Sequence, residues 1–110
     1  MRVLLAALLL PLVLAGCSTP IENAGPVATN HVNIPDEWVF EPREIQVKVG
    51  TNVTWTNNGK TFHSVTFLDP PFDEDIERNQ TVAYTFTEPG TFDYTCKYHP
   101  GMDGRVVVTA

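Results

Sequence analysis

Residues 88–102 read Glu88-Pro89-Gly90-Thr91-Phe92-Asp93-Tyr94-Thr95-Cys96-Lys97-Tyr98-His99-Pro100-Gly101-Met102. The opening Glu88-Pro89-Gly90 is turn chemistry, because proline presets one backbone angle and glycine supplies conformations that other residues avoid. Phe92, Tyr94 and Cys96 then alternate with polar residues and fall on one face of a strand. Beyond Cys96 the strand runs into a short loop that carries a thiol, an imidazole and a thioether at every third position. A loop of that length can turn all three side chains toward one point.

The same alternation extends through most of the chain. Ile45, Val47 and Val49 alternate with polar residues, and Gly50-Thr51-Asn52 turns into Val53 and Trp55. Asn57-Asn58-Gly59 predicts a hairpin turn. His63, Val65 and Phe67 share one face, as do Val82, Tyr84 and Phe86, and Gly104 opens a last strand over 105–109. With an earlier strand near His31 to Ile34, the pattern predicts about seven to eight short strands and no helix. An antiparallel Greek-key β-sandwich accommodates them. Pro35–Pro42 and Asp69–Asn79 are expected as irregular excursions.

Met1 to Gly16 combines Arg2 with an apolar run from Val3 to Leu14, short for a bilayer span and suited to a signal peptide over residues 1–16. Leu14-Ala15-Gly16-Cys17 resembles the lipobox of bacterial-type lipoproteins, which implies lipidation of Cys17; a plain signal peptide cut nearby is the alternative. Residues 17–29 are then a lipidated cysteine and a flexible tether rich in small and polar residues, and 30–110 a single domain. No second apolar segment follows, so attachment would be by lipid alone. The expected location is the outer face of the cytoplasmic membrane, or the periplasm or cell envelope.

Thirteen acidic against seven basic side chains give a formal charge of −6. That balance argues against nucleic acid or an anionic lipid surface as the main partner and suits a basic protein surface. Of the two cysteines, lipidation of Cys17 leaves Cys96 alone, so no internal disulfide forms. A lone thiol in an oxidising compartment needs burial or a metal.

His63, in phase with the apolar face of its strand, supplies a second imidazole to the Cys96, His99 and Met102 set. Soft sulfur with borderline nitrogen suits copper in both its Cu(I) and Cu(II) states, and two histidines and a cysteine with a methionine is the set expected of a blue-copper electron-transfer site. The chain has three histidines in all, too few for the further copper centres of a multicopper oxidase or nitrite reductase. His31 has no ligand at metal spacing beside it and is expected at a surface or edge. Trp38 and Trp55 are expected as core or interface aromatics. Asp73-Glu74-Asp75 with Glu77 is either a solvated loop or a patch that steers a basic partner.

On these residues the chain resembles the plastocyanin and amicyanin branch of the cupredoxin family. The resemblance includes Phe40-Glu41-Pro42, Val53-Thr54-Trp55-Thr56-Asn57 before the first histidine, and Pro89-Gly90-Thr91-Phe92-Asp93-Tyr94 before the cysteine. The short Cys96-to-Met102 loop is similar to that of amicyanins. The resemblance implies His63, Cys96 and His99 as equatorial ligands of one copper and Met102 as a weak axial one. It implies a monomeric one-electron carrier, not an enzyme, exchanging electrons with redox protein partners. Ser64 stands where the family commonly has Asn, and Tyr98 where Pro usually precedes the second histidine. Copper storage or delivery, a site filled by zinc, and a metal-free adhesion-type sandwich are the rival readings.

Overall fold

A computed structural model describes residues 25–110 together with Pro11. The expected lipidation site Cys17 and the expected signal peptide lie outside those residues, apart from Pro11. The described chain forms nine strands: β1 (Val27–Ala28), β2 (His31–Ile34), β3 (Glu44–Lys48), β4 (Asn52–Asn57), β5 (His63–Phe67), β6 (Phe72–Ile76), β7 (Thr81–Thr85), β8 (Gly90–Thr95) and β9 (Asp103–Thr109). They build a six-stranded sheet in the order β1-β3-β9-β8-β5-β6 and a three-stranded sheet in the order β2-β4-β7. The two faces close on one core, as the sequence pattern predicts for a β-sandwich.

Three features differ from the sequence reading. Pairings β1–β3, β2–β4 and β3–β9 are parallel, so both sheets are mixed. Alternation dictates which face is buried and is silent on strand direction, which follows from where the chain crosses between sheets. Second, Asn57-Asn58-Gly59 closes no hairpin, because β4 and β5 belong to different sheets. The buried Asn57 side chain organises a crossover instead, donating to the carbonyls of Thr61 at 2.8 Å and Ile76 at 3.1 Å and accepting from the Gly59 amide at 3.0 Å. Third, structure extends further than expected: β1 falls inside the stretch read as tether and pairs with Ile45 and Gln46. β6 likewise falls inside the expected Asp69–Asn79 excursion and pairs with β5 along its whole length.

The core follows the predicted faces. Val32, Ile34, Ile45, Val53, Trp55, Val65 and Val106 are fully buried; each of the aliphatic ones contributes roughly 1.5–3 kcal/mol. Phe40 and Trp55 each meet the Tyr94 ring edge-on, at centroid distances of 4.7 and 5.5 Å. Tyr94 also covers Gly104 so closely that a Cβ there would run into its ring. Across the larger sheet, β5 and β8 are joined by a single backbone pairing, Thr66 with Thr95. The predicted ligands sit immediately beyond this join.

Candidate metal centre

His63 begins β5 with its side chain wholly buried, and Cys96 follows the last residue of β8 with 2% of its surface exposed. The loop from Cys96 returns directly to β9. The Cys96 amide donates to the Met102 carbonyl at 2.9 Å, the His99 amide to the Cys96 carbonyl at 3.3 Å, and the Met102 amide to the His99 carbonyl at 3.1 Å. The Thr95 hydroxyl adds a bond to the Met102 carbonyl at 3.0 Å. Pro100 and Gly101 occupy the centre of the second turn, and Gly101 has φ 82°. Proline followed by a left-handed glycine is the type II signature. Turn chemistry thus swings His99 back over Cys96 and leaves Met102 buried at the foot of the loop.

The result is a convergence of donors. His63 Nδ1 and His99 Nδ1 lie 3.1 Å apart, and Cys96 Sγ lies 3.3 Å from His99 Nδ1 and 3.8 Å from His63 Nδ1. Metal–ligand bonds of about 2.0–2.3 Å at angles between tetrahedral and trigonal would space the donors roughly 3.3–4 Å apart, so the observed donors stand within a few tenths of an ångström of the spacing for one ion. Burial, and then the neighbouring His99 ring, holds His63 below the usual imidazole range. That favours the neutral ring that binds metals. The donor chemistry, one thiolate sulfur and two imidazole nitrogens, fits copper.

Other sites are placed elsewhere. His31 lies at an exposed edge with Nδ1 2.8 Å from the Thr54 hydroxyl, as expected. A surface cleft of about 500 Å³, lined in part by Arg43, Asp93 and Arg105, includes none of the four predicted ligands.

The cupredoxin-like domain family matches residues 4–108 of the sequence. The chain belongs to the cupredoxin family. Amicyanin-alpha of Methylorubrum extorquens is 38% identical over 100 residues, covering 86% of this chain and 82% of that protein. The chloroplastic plastocyanin of Hordeum vulgare is 33% identical over 84 residues, covering 64% of this chain and 54% of its own length. A solved structure of the reduced Cu(I) form of an amicyanin mutant superposes with a TM-score of 0.69 at 35% identity, covering 78% of this chain and 87% of that one.

This cupredoxin surrounds its site in ways the sequence did not announce. Trp38 stacks on His99 with ring centroids 4.2 Å apart and remains 56% exposed. It comes from the Pro35–Pro42 excursion, where no periodic pattern marks its destination. Tyr98 lies against Phe62, with centroids 4.6 Å apart, and donates its hydroxyl to Asp75 at 2.8 Å. Trp38 therefore supplies the ring stacked on His99. Ser64 does brace the cysteine loop, as an acceptor from the Lys97 amide at 2.9 Å, while its own amide donates to Cys96 Sγ at 3.4 Å. A short hydroxyl suffices because β5 already runs beside the loop.

Proposed function

We propose that this cupredoxin carries electrons one at a time through a single copper held by His63, Cys96 and His99, with Met102 as a weak axial ligand. The observation that carries the reading is the convergence of His63, Cys96 and His99, whose ligand atoms all lie within 4.8 Å of one another. Copper, when bound, supplies a one-electron Cu(I)/Cu(II) couple and a thiolate charge-transfer absorption. The protein supplies rigidity. His63 is locked in the core, Cys96 is fixed by a closed loop and by the Ser64 amide, and His99 is fixed by a turn below and an indole above. A donor set that moves little lets the ion change charge with little rearrangement, which is what an electron carrier requires and an enzyme with a substrate pocket does not.

Electrons pass by the His99 edge. This ring is half-buried, whereas His63 is sealed, and the exposed Trp38, Phe62 and Tyr98 give the surrounding surface an apolar, aromatic face. Such a face suits brief contacts with redox protein partners, at least one of them basic to match the acidic charge. The burial of Cys96 favours retention of the metal over its delivery. Residues 1–16 act as an export signal, Cys17 is the lipid anchor, and the domain works as a monomer at the outer face of the cytoplasmic membrane or in the periplasm. The lipobox-like Leu14-Ala15-Gly16-Cys17 supports this part of the reading.

Titration of the purified, metal-free protein with Cu(II), followed by visible and electron paramagnetic resonance spectra, tests the assignment. One equivalent should give an intense visible band and a single copper signal. A colourless protein after loading would overturn it.

A further inference from the structure

Four residues outside the ligand set form a closed circuit around the cysteine loop. The Lys97 amide donates to Ser64 Oγ at 2.9 Å. The hydroxyls of Ser64 and Thr66 are 2.9 Å apart, and that of Thr66 donates to Asp73 Oδ1 at 2.9 Å. Lys97 Nζ meets both oxygens of the same carboxylate at 2.9 Å.

Proton counting fixes the direction of every link. A hydroxyl carries one hydrogen. Thr66 gives its hydrogen to the Asp73 carboxylate, so toward Ser64 it can only accept. Ser64 then gives its hydrogen to Thr66 and keeps a lone pair for the Lys97 amide. The circuit begins at the backbone of Lys97, crosses β5 and reaches β6. It returns to the same residue through its ammonium group. The carboxylate at one end polarises the neutral hydroxyls before it, strengthening each bond in the row.

Ser64 is also the residue whose amide faces the Cys96 sulfur at 3.4 Å. We propose that Ser64, Thr66, Asp73 and Lys97 act as one positioning clasp that holds this amide against the sulfur and thereby adjusts the sulfur as a metal donor. Hydrogen bonding at the cysteine sulfur is a recognised lever on the potential of a copper–thiolate site. The clasp's role toward the metal rests on the copper reading above; its effect on the loop does not. Among the described residues Thr66 and Asp73 make no side-chain hydrogen bond to His63, Cys96, His99 or Met102, and they act through Ser64 and Lys97.

The test compares Thr66→Val, which breaks the row at its centre, with Thr66→Ser, which keeps the hydroxyl. In the metal-free full chain, the Lys97 amide of Thr66→Val should exchange its hydrogen roughly two- to twelvefold faster, the factor released by losing one ordinary hydrogen bond. Thr66→Ser should match the parent. After Cu(II) loading, the visible band and the reduction potential should shift in Thr66→Val and stay in place in Thr66→Ser. Parental exchange and spectra in Thr66→Val would overturn the clasp. Equal changes in both variants would overturn it too, by assigning the effect to packing at position 66. A parent that takes up copper without colour would strike at the copper reading and leave the amide comparison intact as a test of the clasp on the loop.

Discussion

The Trp38 indole lies over the His99 imidazole with centroids 4.2 Å apart and planes 25° from parallel. The ligand ring that stands nearest solvent is thus held on one side by a side chain that is itself more than half exposed. An aromatic pair contributes about 0.5–1.5 kcal/mol beyond its buried area. Trp38→Ala should therefore speed copper release to an external chelator roughly two- to twelvefold, and Trp38→Phe should keep most of the parent's retention. Stopped-flow loss of the visible band measures it.

Cys96 and Met102 should fail differently. Cys96→Ser removes the only thiolate at the site and should abolish the intense visible band altogether. Met102→Gln substitutes a harder oxygen for the thioether and should leave a coloured Cu(II) protein with a lower reduction potential. Absorption spectra and voltammetry on the two variants separate these outcomes.

Gly104→Ala should destabilise the fold without touching the donors, because the added methyl meets the Tyr94 ring. Overpacking of this kind costs about 1–3 kcal/mol. Urea unfolding should show the lower midpoint, and the variant should still bind copper once folded.

Acid should weaken the fold through Asp73. A hydrogen bond from Lys97, and next one from Thr66, holds this carboxyl below its ordinary value of 3.8; Arg105 does the same for Asp93. A folded value below the unfolded one means that the stabilisation is complete above the unfolded value and is lost as pH falls through the folded one. The carboxylate share of the stability should thus be lost below about pH 4, after an earlier loss that begins below about pH 6.5 as His63, likewise held low, resists protonation. In Asp73→Asn the decline should be shallower, since one of the depressed carboxyls is gone.

The acidic run is two populations rather than one patch. Lys97 pairs with Asp73 at 2.9 Å and with Asp75 at 3.2 Å, whereas Glu74 and Glu77 are exposed and form no ion pair among the described residues. Long-range attraction of a basic redox partner should depend on Glu74 and Glu77. Neutralising both to Gln should slow bimolecular electron transfer at low salt, with the difference fading as the Debye length shrinks toward about 8 Å. Stopped-flow rates at several ionic strengths would show it, and rates equal to the parent's at low salt would return these glutamates to ordinary solvated surface.

The faces of the strands and the metal donors were legible because both are periodic or local. His63, Val65 and Phe67 point inward together at a period of two, and the His99-Pro100-Gly101-Met102 turn is written in its own residues. What escaped depends on distant partners. Asn57-Asn58-Gly59 suits a hairpin or a crossover equally, and only the carbonyls of Thr61 and Ile76 decide between them. Phe72–Ile76 carries three consecutive carboxylates on an edge strand with little to bury, so it offered no alternation to read. Nothing near Trp38 in the chain foretells His99 beneath it.

The thin join between β5 and β8 gives the donor set a mechanical meaning. Beyond the one backbone pairing of Thr66 with Thr95, the gap is crossed by two bonds that each use a side chain, the Ser64 amide on the Cys96 sulfur and the Lys97 amide on Ser64 Oγ. His63 stands on one bank and Cys96 on the other. An ion gripped by both is a rivet through the narrowest part of the sheet, and by mass action its affinity adds directly to the closed form. Empty and loaded molecules should therefore differ in how often this seam parts, so that a protease would meet a tougher substrate whenever the metal is in place.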